Sequence, residues 1–155
     1  MKRFHIHLSV DNLAESVAFY NRLFAQEPSL IKDDYAKWIL DDPRVSFVIS
    51  TSEQALGLNH FGVQADTEEE LSILKQQSEA AMGYSMDTAN AETCCYSLSK
   101  KYWVNDPSGI PWEHYTSLSS VKTFNQPDNT STACCTPSTP SKPDLKTHEK
   151  SHNCC

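Results

Sequence analysis

The chain has 155 residues, 39% of them hydrophobic and 21% charged, which suits one compact domain of about 100–150 residues with some surplus. Thirteen basic side chains against twenty acidic ones give a formal charge of −7, which repels a phosphate backbone and, with no basic patch present, excludes general nucleic-acid binding. The apolar runs fall far short of the roughly 20 residues that span a bilayer, and Met1-Lys2-Arg3-Phe4-His5 leads into no apolar leader, so a cytoplasmic protein without a membrane partner is expected.

Residues 4–10 alternate as a strand, and Asp11-Asn12 with Glu15 three positions on is a helix-start signal. Val17, Tyr20, Leu23 and Phe24 then recur at helical spacing, with Pro28 beyond the end. Strands are expected at 35–40 and 45–50, joined by the turn Asp41-Asp42-Pro43-Arg44. A second round begins with a strand over 58–65. Thr67 and Glu70 form a capping box, Leu71, Leu74, Ala81 and Met82 give the helix its apolar side, and Gly83 stops it. Strands near 85–87, over 93–100 continuing through Val104, and over 110–116 complete the round, with the turn Asn105-Asp106-Pro107-Ser108-Gly109 between the last two. The pattern is βαβββ repeated: an α+β domain over residues 1–119, with module one at 1–52 and module two at 57–117.

Composition shifts near residue 119. Residues 120–155 hold four of the eight prolines and many Ser and Thr, with too little apolar surface to offset chain entropy, and a disordered tail is expected. The six cysteines form three adjacent pairs, Cys94-Cys95, Cys134-Cys135 and Cys154-Cys155. Neighbouring cysteines bridge each other poorly, whereas paired free thiols suit soft metals and metalloids. His148 and His152 beside the last pair match no closed zinc spacing.

The two rounds supply a register. His5 precedes Val10-Asp11 by the interval at which His60 precedes Ala65-Asp66, so the repeat sets these histidines face to face. His7 shares a face with His5 on the same strand, but its counterpart is Gly62, which favours His5 as the ligand. A third ligand is suggested in Pro111-Trp112-Glu113-His114-Tyr115. Glu113 and His114 point to opposite faces of a strand, so only one of them can join His5 and His60. Two imidazoles and one carboxylate are the set that holds Fe(II) with positions left open. Taken singly, a strand histidine is ordinarily hydrogen-bonded scaffold, a reading from which the repeat separates His5 and His60, and Glu113 alone could equally be a solvated edge residue.

With His5-Ile6-His7-Leu8-Ser9-Val10 followed by Leu13-Ala14-Glu15-Ser16-Val17-Ala18-Phe19-Tyr20, the duplicated layout resembles the vicinal oxygen chelate superfamily over nearly all of residues 1–117. Leu58-Asn59-His60-Phe61-Gly62-Val63, Thr93-Cys94-Cys95-Tyr96, Trp103-Val104-Asn105-Asp106-Pro107-Ser108-Gly109 and Pro111-Trp112-Glu113 are similar to its carbon–arsenic lyase branch, which includes the cadmium-induced proteins. The resemblance implies an Fe(II)- and dioxygen-dependent enzyme that cleaves the carbon–arsenic bond of trivalent organoarsenicals such as methylarsenite. It implies His5, His60 and Glu113 as metal ligands and Cys94 and Cys95 as the substrate clamp. Because adjacent residues of a regular strand face opposite ways, a shared clamp requires residues 93–95 to leave strand geometry. Related scaffolds assemble their modules within or between chains, so a homodimer is admissible. Two other functions fit parts of the sequence: a non-catalytic arsenic- or cadmium-binding protein using the thiol pairs, and a glyoxalase-like metalloenzyme. The latter asks for a fourth ligand near 47–50, where Phe47-Val48-Ile49-Ser50 offers no carboxylate or imidazole.

Overall fold

The computed structural model describes residues 1–51, 55–85, 91–94 and 96–120. In chain order they form β1 (Arg3–Ser9), α1 (Leu13–Phe24), β2 (Leu30–Lys32), β3 (Tyr35–Asp41), β4 (Arg44–Ser50), β5 (Gly57–Ala65), α2 (Glu68–Met82), β6 (Ala91–Cys94), β7 (Ser97–Asn105) and β8 (Pro111–Ser120). This is βαβββ twice, as the repeat predicts. Both helix starts form as read: Asn12 Oδ1 accepts from the Glu15 N–H at 3.1 Å and Thr67 Oγ1 from the Glu70 N–H at 3.3 Å. Gly83, with φ +78°, ends α2.

The strands make one eight-stranded sheet in the order β2-β3-β4-β1-β5-β8-β7-β6. Each module pairs its first and last strands in parallel, β1 with β4 and β5 with β8, and β1 meets β5 antiparallel at the join. Ile6 and Leu8 pack with Trp38, Phe47 and Ile49 beside α1, while Val63 and Ala65 pack with Leu71 and Leu74 of α2. Strand alternation therefore turns His5, His7 and His60 to the face away from the helices.

Two strand expectations change. The sequence reading of module one lacks β2, a three-residue strand with no alternation long enough to read. In module two, the continuous strand expected over 93–104 is a hairpin, with Cys94 paired to Ser97 and Tyr96 in the left-handed region at φ +62°. A tyrosine is seldom found there, because its Cβ crowds the backbone at a cost of roughly 1–2 kcal/mol. The clamp argument expects residues 93–95 to leave strand geometry; the backbones of Thr93 and Cys94 instead stay paired in β6, and the left-handed residue is Tyr96. The strand expected at 85–87 falls largely outside the described residues, and Ser85 itself is in no strand. The tail from residue 121 also lies outside them.

Candidate metal centre

Antiparallel pairing sets His7 opposite His60 and His5 opposite Gly62, and the His60 ring lies 4.9 Å from that of His7 and 5.1 Å from that of His5, yet a direct meeting of ring nitrogens joins the pair matched by the repeat. His5 Nε2 and His60 Nε2 are 3.1 Å apart. Glu113, on β8 beside β5, brings Oε2 to 3.3 Å from His60 Nε2 and 3.6 Å from His5 Nε2. Exposure of the three residues is 1–8%. His114 points the other way, its ring 5.2 Å from that of Tyr102, which decides between the two candidates on this strand in favour of Glu113.

The hydrogen bonds fix what these atoms can do. His5 Nδ1 lies 3.1 Å from the Ser46 carbonyl and His60 Nδ1 lies 2.8 Å from Asn59 Oδ1, both acceptors for a ring N–H. Asn59 is oriented in turn by donating Nδ2–H to Ser9 Oγ at 3.1 Å. A neutral imidazole that spends its N–H at Nδ1 presents a bare lone pair at Nε2. Two such lone pairs and a carboxylate oxygen then crowd one point with no donor among them. A cation relieves that repulsion, and two nitrogens with one oxygen suit a divalent transition metal.

His7 adjoins the same point. One ring nitrogen from each of His5, His7 and His60 lies within 4.8 Å of the others, so this cluster could also hold a metal. The set with Glu113 is tighter and carries the charge a cation needs. His7 Nε2, by contrast, is engaged with Ser50 Oγ at 2.8 Å. In the paired registers Phe47 on β4 stands to Ile6 as Trp112 on β8 stands to Phe61, which makes Val48 the counterpart of Glu113. Val48 lines the cavity with His5, Tyr35, Lys37, Lys101 and Tyr115. The position where a fourth ligand would sit is thus apolar.

Gly62 explains why His7 has no mate. A Cβ there would overlap the Glu113 backbone carbonyl across the β5–β8 ladder. Beyond the candidate ligands, the sequence reading missed Asn59, Lys101 and Tyr115. Lys101 Nζ sits 3.2 Å from Glu113 Oε1, and Tyr115, whose hydroxyl donates to Gln64 Oε1 at 3.1 Å, packs its ring 5.1 Å from that of His5. Only their shared parity with Glu113 across neighbouring strands could have pointed to Lys101 and Tyr115.

Burial favours the neutral form of His5, His7 and His114. It pushes His5 well below the usual imidazole value, His7 to about 3 and His114 to about 4. Burial raises the Glu113 carboxyl, but the opposing interactions, the Lys101 ammonium foremost, outweigh it and hold it well below the usual carboxylate range. The unfolded chain protonates histidine near 6.5 and the folded chain resists, so the unfolded state binds more protons as pH falls. Stability is therefore present above 6.5 and lost on descent toward 4. In chelator, His114 alone accounts for a loss of about 2–3 kcal/mol between pH 7 and pH 4.5. Urea midpoints across that range should fall less steeply for His114→Leu than for the unsubstituted chain.

The hairpin that follows the first cysteine reaches the opposite module. Tyr96 donates its hydroxyl to Asp34 Oδ1 at 2.6 Å, and its ring lies 5.6 Å from that of Tyr35, with Lys32 Nζ 5.4 Å from its centroid. Tyr35 lines the metal-site cavity. The residue next to Cys95 is thereby fastened to the cavity's first-module side. The backbone of Cys94 closes β6; its side chain, and all of Cys95, lie outside the described residues, as do Cys134, Cys135, Cys154 and Cys155.

No family model matches the chain. Among curated proteins, it is 34% identical to the trivalent organoarsenical cleaving enzyme of Bacillus sp. (strain MD1) over 167 aligned residues, covering 100% of this chain and 99% of that one. The chain belongs to the trivalent organoarsenical cleaving enzyme family. The cadmium-induced protein CadI of Mycobacterium tuberculosis (strain ATCC 25618 / H37Rv) is 34% identical to this family member over 126 residues, 80% of this chain and 82% of that one. Among solved structures, a glyoxalase/bleomycin resistance protein/dioxygenase superfamily member from Vibrio splendidus 12B01 aligns with a TM-score of 0.51 at 16% identity, over 76% of this chain and 100% of that one. This family member thus has the vicinal oxygen chelate fold that the sequence resemblance implies. Among its described residues no helix is long and apolar enough to cross a membrane.

Proposed function

We propose that the protein is an Fe(II)- and dioxygen-dependent carbon–arsenic lyase that converts trivalent organoarsenicals such as methylarsenite to arsenite and so confers resistance to them. We place it in the cytoplasm, where reduced thiols persist. The observation that carries this reading is the convergence of His5 Nε2, His60 Nε2 and Glu113 Oε2 within 3.6 Å in a cavity whose side is gripped by the residue after the cysteine pair. The organoarsenical-cleaving activity in the names of its relatives supports it.

His5, His60 and Glu113 would hold the metal. Fe(II) there would supply open positions for dioxygen and its activation toward oxidative cleavage. The protein's own groups then have separable tasks. The Cys94 and Cys95 thiols displace the two hydroxyls of methylarsenite as water, since trivalent arsenic prefers sulfur. The arsenic keeps only its methyl group and two sulfurs, which fixes the direction of the carbon–arsenic bond. Tyr96, tied to Asp34, anchors the chain next to the cysteine pair, and the gain is one of proximity and orientation. Val48 leaves the position opposite Glu113 free of a competing donor.

Reduced, Fe(II)-loaded protein under air should release arsenite from methylarsenite, and Cys94→Ala and Cys95→Ala should each abolish release. Truncation after Ser120 separates catalysis by residues 1–119 from simple sequestration by the thiol pairs. Retained turnover supports the lyase; loss of most arsenic-binding capacity, with equal product from the cysteine variants, contradicts it. Tyr96→Phe removes one part-buried bond to a carboxylate, worth about 1 kcal/mol, and should raise the KM for methylarsenite about fivefold while leaving metal content unchanged.

A further inference from the structure

Glu113 divides its two oxygens between different partners. Oε2 faces the His5 and His60 nitrogens, whereas Oε1 meets Lys101 Nζ at 3.2 Å. The Lys101 side chain is only 3% exposed, and burying an ammonium is costly unless an anion pairs with it. The sheet builds this contact. Lys101 on β7 stands opposite Tyr115 and Trp103 opposite Glu113, so Lys101 reaches Glu113 along the diagonal on the cavity face, a separation that a long side chain spans. Trp103 flanks the ammonium, 6.0 Å from Nζ to the ring centroid, and packs against the His60 ring at 4.8 Å. The neighbouring Lys100 turns outward to Glu68 at 2.7 Å and has no part in this arrangement.

A carboxylate can bind a metal through one oxygen or through both. With Oε1 occupied by an ammonium, only Oε2 is free for the metal. We propose that Lys101 is a positioning residue that restricts Glu113 to single-oxygen coordination and thereby keeps one more position of the metal open to reactants. The inference rests on His5, His60 and Glu113 being the metal ligands. Without the ammonium, Oε1 turns inward, the carboxylate chelates, and the vacancy closes. The predicted signature is unusual for a lost outer partner: metal affinity is maintained or tightened, while the coordination number rises and turnover falls.

Co(II) is the probe, read by its visible d–d absorption, which weakens as coordination number increases. The unsubstituted chain and Lys101→Arg should bind one Co(II) with matching spectra. Lys101→Met, which keeps the apolar stem, should bind Co(II) no more weakly, with band intensity lowered about twofold and methylarsenite turnover in the Fe(II) form lowered about 10–100-fold. Lys101→Gln is read in the same way should the methionine variant not fold. The proposal is overturned if both neutral variants keep the unsubstituted spectrum, or if they lose Co(II) affinity about 10–100-fold with band intensity intact, as a purely structural contact would. A different result, equal Co(II) binding by Glu113→Gln and the unsubstituted chain, would overturn the ligand assignment and this inference with it.

Discussion

Replacing Glu113 with alanine is expected to abolish methylarsenite turnover and also to weaken the fold. Loss of an outer partner to a metal ligand commonly costs about 10–100-fold, so loss of the ligand that supplies the only negative charge among the three should cost more than about 100-fold in activity and Fe(II) affinity. Stability falls for a separate reason. Lys101 Nζ, 3.2 Å from Glu113 Oε1, would be left as a buried charge without its anion, and breaking such a pair from one side costs about 3–5 kcal/mol. His60→Ala removes a ligand without exposing a charge. It should match Glu113→Ala in lost Fe(II) binding and fall well short of it in lost stability. Urea denaturation in chelator and metal analysis of the purified variants measure both quantities. Equal destabilisation by the two substitutions would count against the ion pair, and retained iron in either would count against the ligand set.

The second large effect is expected from a methyl group. Gly62→Ala places a Cβ onto the Glu113 backbone carbonyl, and backbone cannot rotate away as a side-chain tip can. Either the β5–β8 ladder opens or Glu113 is displaced. Overpacking of this kind costs about 1–3 kcal/mol or more, and the overlap with main chain puts this case at the upper end. Because the displaced strand carries Glu113, Fe(II) binding should be lost together with stability. Gly109→Ala is the comparison: its surroundings are open and only its φ of +82° resists a side chain, so the cost should be about 1 kcal/mol with iron retained. Thermal unfolding and iron content of the two variants report the contrast.

Duplication made much of this architecture legible. The matched intervals from His5 to Asp11 and from His60 to Asp66 gave a register that matches His5 to His60, whereas the ladder sets His7 opposite His60. The helix caps were readable because Asn12 and Thr67 act through residues three positions away. Side-chain contacts between elements distant in sequence left no such trace. Lys100 and Lys101 are indistinguishable as neighbours in sequence, and only strand parity sends one to Glu68 and the other to Glu113. A departure from strand geometry beside the cysteine pair was expected, but its place at Tyr96 was hidden: the left-handed backbone goes with contacts to Asp34 and Tyr35, which lie in the other module. Asn59 was visible as a residue but not as the acceptor that orients His60.

The most direct test of the central claim is a crystal structure of the metal-loaded protein soaked with methylarsenite in the absence of dioxygen. Arsenic bound by the sulfurs of Cys94 and Cys95, with its methyl group turned toward a metal held by His5, His60 and Glu113, is the predicted result. Arsenic on the helix-covered side of the sheet, or a metal held elsewhere, would contradict it.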